Sequence, residues 1–206
     1  PILLRPGGAT REESEAVIRD GGKLAAVRVC GLEGTQRMLD AHRLEQAVEA
    51  LQSARKIVFV GVGGGAAICD EAAHMFLKAG FDAASYRDSY TQTIMAAQLK
   101  PGDAMVGISH TGTTATVADA MMLAKKNGAT TIAITSNAQS DVAHAGSVCL
   151  TTWGASQQVV PLHGDFLEGR LSQLFLVDVL YVGVLFRAGK TTAENLRLTG
   201  VALEEH

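Results

Sequence analysis

At 206 residues with 47% hydrophobic content, the chain is long enough for one domain with a substantial core. Lys and Arg total 18 against 21 Asp and Glu, and a formal charge of -3 excludes the basic footprint of a chain that binds nucleic acid by itself. Cys30, Cys69 and Cys149 make neither a metal-ligand spacing nor a disulfide framework, so no metal site and a reducing, cytoplasmic setting are expected.

The opening PILLRPGG has no cationic segment followed by an apolar stretch, so no signal peptide is expected, and a start at proline is consistent with a piece of a longer chain. From Arg11 to about Asp40 the residues are polar and helix-forming, and Leu44, Val48 and Leu51 then share one helical face. Residues 56–63, KIVFVGVG, form a continuous apolar run that stops at glycines, as a parallel strand buried on both faces requires. Comparable runs recur at AMVGIS (104–109), TTIAITS (130–136) and SVCLTT (147–152), with a shorter strand, DAASYR, at 82–87. Helical stretches at 66–79, 91–99 and 114–127 lie between them, the last closed by Gly128. Pro161 opens a loop in QQVVPLHGD ahead of a long apolar helix. Its apolar run, 174–186, carries Asp178 and falls short of the ~20 residues of a membrane span, and a polar helix begins near Thr192.

Alternating strands and helices of these lengths imply right-handed crossovers and a three-layer, doubly wound α/β sandwich. The expected sheet is five-stranded, mostly parallel and of flavodoxin-like order, flanked by N- and C-terminal helices. Ligands in such folds sit at the carboxyl ends of the strands, near the topological switch point.

Two strand-to-helix loops carry the chemistry. In the first, Gly61, Gly63, Gly64 and Gly65 let a ligand approach the backbone where a helix amino end offers free N–H groups. Gly61, Gly63 and Ala66 also match a dinucleotide fingerprint, which lacks its acidic residue at the end of the second strand, since Asp88 falls beyond it. No cofactor is therefore expected. In the second loop, Ser109, Thr111 and Thr114 carry hydroxyls at spacing 0, +2 and +5 around Gly112, a cradle for phosphate oxygens. Helix capping accounts for one of these hydroxyls and not for three.

The runs GVGGGAAICDEAAHMFLKAG, RDSYTQ, LKPGDAMVGISHTGTT and GRLSQLFLVDVL resemble the sugar isomerase (SIS) domain, in the form found in RpiR-type transcriptional regulators. The resemblance covers residue 24 to the C-terminus and implies an SIS domain over 23–206, with a helical preamble at 23–54, an α/β core at 55–190 and a final helix at 191–206. Residues 1–22 read as a linker or tail, too short for the DNA-binding module that precedes the SIS domain in that family. The resemblance implies that Ser109, Thr111 and Thr114 grip a sugar phosphate with the amides of Gly112 and Thr113. It also implies that Gly63, Gly64, Gly65 and the Asp88-Ser89 turn face the sugar. Relatives usually carry serine where this chain has Gly65. His110 and Thr113 also depart from the pattern, and His110 reads either as a sugar contact or as an exposed loop histidine.

The expected function is that of an effector domain which binds a phosphorylated sugar without catalysis and reaches DNA only through another domain. The alternative is an aldose-ketose isomerase, with a dinucleotide enzyme third. Isomerisation needs a base. Related isomerases carry a glutamate where this chain has Arg170, which stays protonated. Glu168 and His163, nearby in sequence, keep the isomerase open. The apolar helix and the amphipathic N-terminal helices imply a homodimer or tetramer, and no membrane partner is expected.

Overall fold

The computed structural model describes residues 11–154 and 164–204. In chain order the elements are α1 (Arg11–Met38), α2 (Ala41–Ser53), β1 (Ile57–Gly61), α3 (Gly64–Lys78), β2 (Ala83–Tyr86), α4 (Ser89–Gln98) and β3 (Ala104–Ile108). They continue as α5 (Ala115–Lys126), β4 (Thr130–Thr135), α6 (Asp141–Ala145), β5 (Val148–Thr151), α7 (Gly164–Ala188) and α8 (Lys190–Glu204). The five strands pair in the order β2-β1-β3-β4-β5, every pair parallel.

The continuous apolar runs are buried along their whole length in β1 and β3 because helices cover both faces of the sheet. Ile57, Phe59, Val106, Ile132 and Ile134 point to the layer made by α2, α3 and α7, where Leu51, Phe76, Leu176 and Leu180 meet them. Val58, Val60, Met105 and Ala133 point to α4, α5 and α6, against Ala96, Val117 and Met121. This is the expected three-layer sandwich, with its switch point between β1 and β3.

Three details depart from the sequence reading. Five-residue α6 was not expected; Ser140 creates it, its hydroxyl accepting from the Ala143 amide at 3.3 Å. α1 runs through position 22 unbroken, so secondary structure marks no border between linker and domain there. Within α7, Gly169–Ala188 is long and apolar enough to cross a membrane by length and composition. Its stripe of Leu176, Val177, Leu180 and Val184 packs instead on the sheet, each at most 1% exposed.

The C-terminal part of α1 is fastened to the end of β5. Gly31 and Gly34 leave a notch for the Trp153 ring, which stands 2.6 Å from where a Cβ on Gly34 would be. The Trp153 amide donates to Thr35 Oγ1 at 3.0 Å, and that hydroxyl donates to Gly31 O at 2.8 Å.

Candidate functional site

The site lies at the carboxyl ends of β1 and β3, where chain direction across the sheet reverses. The 109–114 loop leaves β3 and enters α5 through Thr114, the N-cap residue. Ser109 is 6% exposed; its Oγ accepts from the Gly112 amide at 3.1 Å and pairs with Thr114 Oγ1 at 2.9 Å. Thr111 and Thr113, both exposed, pair through their hydroxyls at 2.9 Å.

Thr114 occupies the cap position yet makes no side-chain cap hydrogen bond. The capping alternative for its hydroxyl is thus set aside, and the helix's partial positive end faces the loop. The first turn of α5 holds no acidic side chain to compete with an anion.

Gly112 fixes the loop's shape. Its φ of 72° is the left-handed conformation, and a Cβ there would run into Ser140 Oγ and Thr135 Oγ1. β4, its following loop and α6 support the turn from behind: Thr135 Oγ1 and Ser136 Oγ donate to His110 O at 3.1 and 2.7 Å, and the Val142 amide donates to Gly112 O at 3.1 Å. A loop held at two of its carbonyls in this way would lose less conformational freedom on binding a ligand than an unbraced one.

The glycine loop abuts this cradle. Gly63, the α3 N-cap residue, has φ 57° and ψ -120°, and space is open where its side chain would be. A Cβ on Gly65 would stand 2.7 Å from Ile108 O, immediately before Ser109, so the two loops touch at backbone distance. Any side chain at this position, the serine that the family resemblance leads one to expect included, would require a shift here. Cys69 is buried behind Gly61, and burial pushes its thiol well above the ordinary range, which removes it as a nucleophile.

Ser89 opens α4, exposed at the end of β2. Its neighbour Asp88 is the α4 N-cap: the Thr91 hydroxyl and then the Thr91 amide, at 2.9 Å, hold its carboxyl below the usual range. Half-buried His110 packs against Gly169 at the start of α7, so it is a contact between two elements and not the exposed loop histidine that the sequence allowed.

Arg170 lines a groove between α3 and α7 together with Ala67, Ile68, Glu71, Leu174 and Asp178. Burial, and then Glu71, raise the Asp178 carboxyl. Asp178 lies about 12 Å further along α7 than Arg170, too far down the helix to serve the loops. His163 falls outside the described residues, and Glu168 is described only as part of the α7 backbone. Among the described residues no group of His, Cys, Asp and Glu side chains could hold a metal ion.

Sequence reasoning missed Gln92. It is wholly buried, and its Nε2 donates to Gly61 O at 3.0 Å and to Tyr86 O at 2.9 Å, the carbonyls that close β1 and β2. A polar residue on the α4 face it shares with buried Ala96 and Leu99 is the signal that was available.

Comparison with known proteins agrees with this architecture. The SIS domain family model matches residues 50–183. An uncharacterised HTH-type transcriptional regulator of Caldanaerobacter subterraneus is 33% identical over 177 residues, covering 85% of this chain and 61% of that protein. The HTH-type transcriptional regulator HexR of Escherichia coli is 31% identical over 196 residues, covering 94% of this chain and 65% of that protein. The chain thus spans about three fifths of the length of these regulators. Among solved structures, Vibrio vulnificus NanR complexed with ManNAc-6P superimposes with a TM-score of 0.82 at 22% identity, covering 92% of this chain and 71% of that one. The sugar isomerase domain of an RpiR transcription factor from Sphaerobacter thermophilus gives 0.76 at 22% identity, covering 87% and 97%.

Proposed function

The chain belongs to the SIS domain family, and from that premise we propose that it is the effector-sensing part of an RpiR-type regulator, binding a phosphorylated sugar without transforming it. The observation that carries this reading is the α5 amino end: an N-cap threonine that does not cap, set among hydroxyls braced from β4. A phosphate there would accept from Ser109, Thr111, Thr114 and the amides of Gly112 and Thr113, with no cationic side chain in either loop. Hydrogen bonds to a charged group contribute roughly 1.5–3 kcal/mol each, so a few of them, discounted for ordering, reach the ~8 kcal/mol of micromolar binding.

The sugar would extend from the cradle toward Gly63, Gly64, Gly65 and Ser89. The ManNAc-6P complex of NanR, similar in fold, supports a ligand of this class. The reading without catalysis is supported by Arg170, which stays protonated, at the position where the family resemblance places the glutamate of related isomerases. DNA would be bound by a helix-turn-helix portion of the longer, cytoplasmic regulator, as the HTH-type relatives support. The outer face of α7, with Phe186 86% exposed beside Val182, would be covered in a homodimer or tetramer.

A thermal-shift screen against hexose, pentose and amino-sugar phosphates, with each hit assayed for isomerised product, tests the reading. A stabilising ligand recovered unchanged supports a sensor; conversion assigns the isomerase; no response to any member refutes the site.

A further inference from the structure

We infer that Gln92 is a positioning residue that sets the glycine loop against the sugar, separately from the grip on the phosphate. β1 pairs with β2 as far as Val60 and Tyr86, and with β3 one residue further, at Gly61 and Ile108. On the β2 side the Gly61 carbonyl therefore lies past the last ladder pair. Gln92 extends the ladder with a side chain: one amide nitrogen bridges Gly61 O and Tyr86 O, at 3.0 and 2.9 Å. The bridge fixes where β1 ends and the 62–65 loop begins. On its other side that loop meets the Ile108 backbone, beside Gly65.

Gln92 cannot drift, because α4 is anchored one residue earlier, where the Thr91 amide donates to Asp88 Oδ1 at 2.9 Å. The residue is 0% exposed and, among the described residues, its Oε1 has no partner. A buried acceptor left unsatisfied is a cost that an apolar side chain of the same size would avoid. Both N–H groups are committed to the strand ends, so the carboxamide stands here for the carbonyls it ties together. The phosphate cradle is braced independently, from Thr135, Ser136 and Val142. Losing Gln92 should therefore loosen one loop and spare the other.

The inference rests on reading the crevice as a sugar phosphate site, and the test keeps the two apart. Gln92→Met retains volume and removes both hydrogen bonds. Calorimetry with glucose 6-phosphate, fructose 6-phosphate, arabinose 5-phosphate and ManNAc-6P should show affinity for any binder falling about tenfold, the loss of roughly one net hydrogen bond. Inorganic phosphate should bind within twofold of the parent, and hydrogen exchange should quicken at amides 62–66 while 110–116 stay unchanged. Equal loss for phosphate and sugar phosphate, or unchanged sugar phosphate binding, overturns the inference. If the parent binds none of these, the sugar phosphate reading fails, and unchanged exchange at 62–66 in the variant would still overturn the role of Gln92. Should Gln92→Met not fold, Gln92→Leu, which also removes both hydrogen bonds, is read in the same way.

Discussion

Replacing Ser109 with alanine and Thr114 with valine removes two hydroxyls while leaving the loop backbone in place. Each hydroxyl offers one hydrogen bond to a charged phosphate, worth about 1.5–3 kcal/mol, so the single variants should weaken binding by roughly 10- to 150-fold. Together they should lose about 3–6 kcal/mol, which moves a micromolar ligand to between ~0.2 and ~20 mM. Stability responds differently. Because Thr114 makes no cap hydrogen bond, Thr114→Val should lower Tm by no more than about 3 °C, whereas Ser140→Ala removes a real cap and about 1 kcal/mol. Titration calorimetry with the hit from the sugar phosphate screen, beside thermal melts of all four variants, makes the comparison. A double variant that melts normally and binds within threefold of the parent would refute the anion cradle.

Three further predictions concern the scaffold. Gly34→Ala places a methyl against the Trp153 ring and should cost about 1–3 kcal/mol of overpacking, read as a lower Tm, whereas Gly22→Ala, with nothing within 4 Å, should increase helicity by far-UV circular dichroism. Asp178, with its pKa raised by burial and Glu71, holds back stability when ionised. A raised folded-state value in an acid means stability present at low pH and lost as pH rises through that value, so Asp178→Asn should melt higher than the parent at pH 7 and alike near pH 3.

The layers were legible because continuous apolar runs such as KIVFVGVG have one stable home, a parallel strand covered on both faces, whereas the strand order came with the family resemblance. The grouping of Ser109, Thr111 and Thr114 in one loop was legible for a related reason: they are close in sequence, so their convergence is local. Contacts made across the fold were not. Trp153 is the chain's one tryptophan and finds its notch 119 residues away, between glycines whose spacing says nothing about a partner. The packing of His110 on Gly169 is of the same kind. α6 escaped notice because a five-residue helix is too short to express a period, leaving only the Ser140 cap as its mark.

The notch that holds Trp153 also gives α1 a mechanical character. The helix is 28 residues, about 42 Å, and is held near one end, while among the described residues nothing stands within 4 Å of where a Cβ on Gly22 would be. Trp153 follows Thr152, whose amide donates to Thr135 O at 2.9 Å, and Thr135 Oγ1 donates to His110 O in the 109–114 loop. From Gly31 to Arg11 the arm is about 30 Å long, so a tilt of about 5° at the tryptophan displaces the far end by nearly 3 Å. In the proposed sensor, α1 would act as an oar whose rowlock adjoins the loop assigned to the ligand.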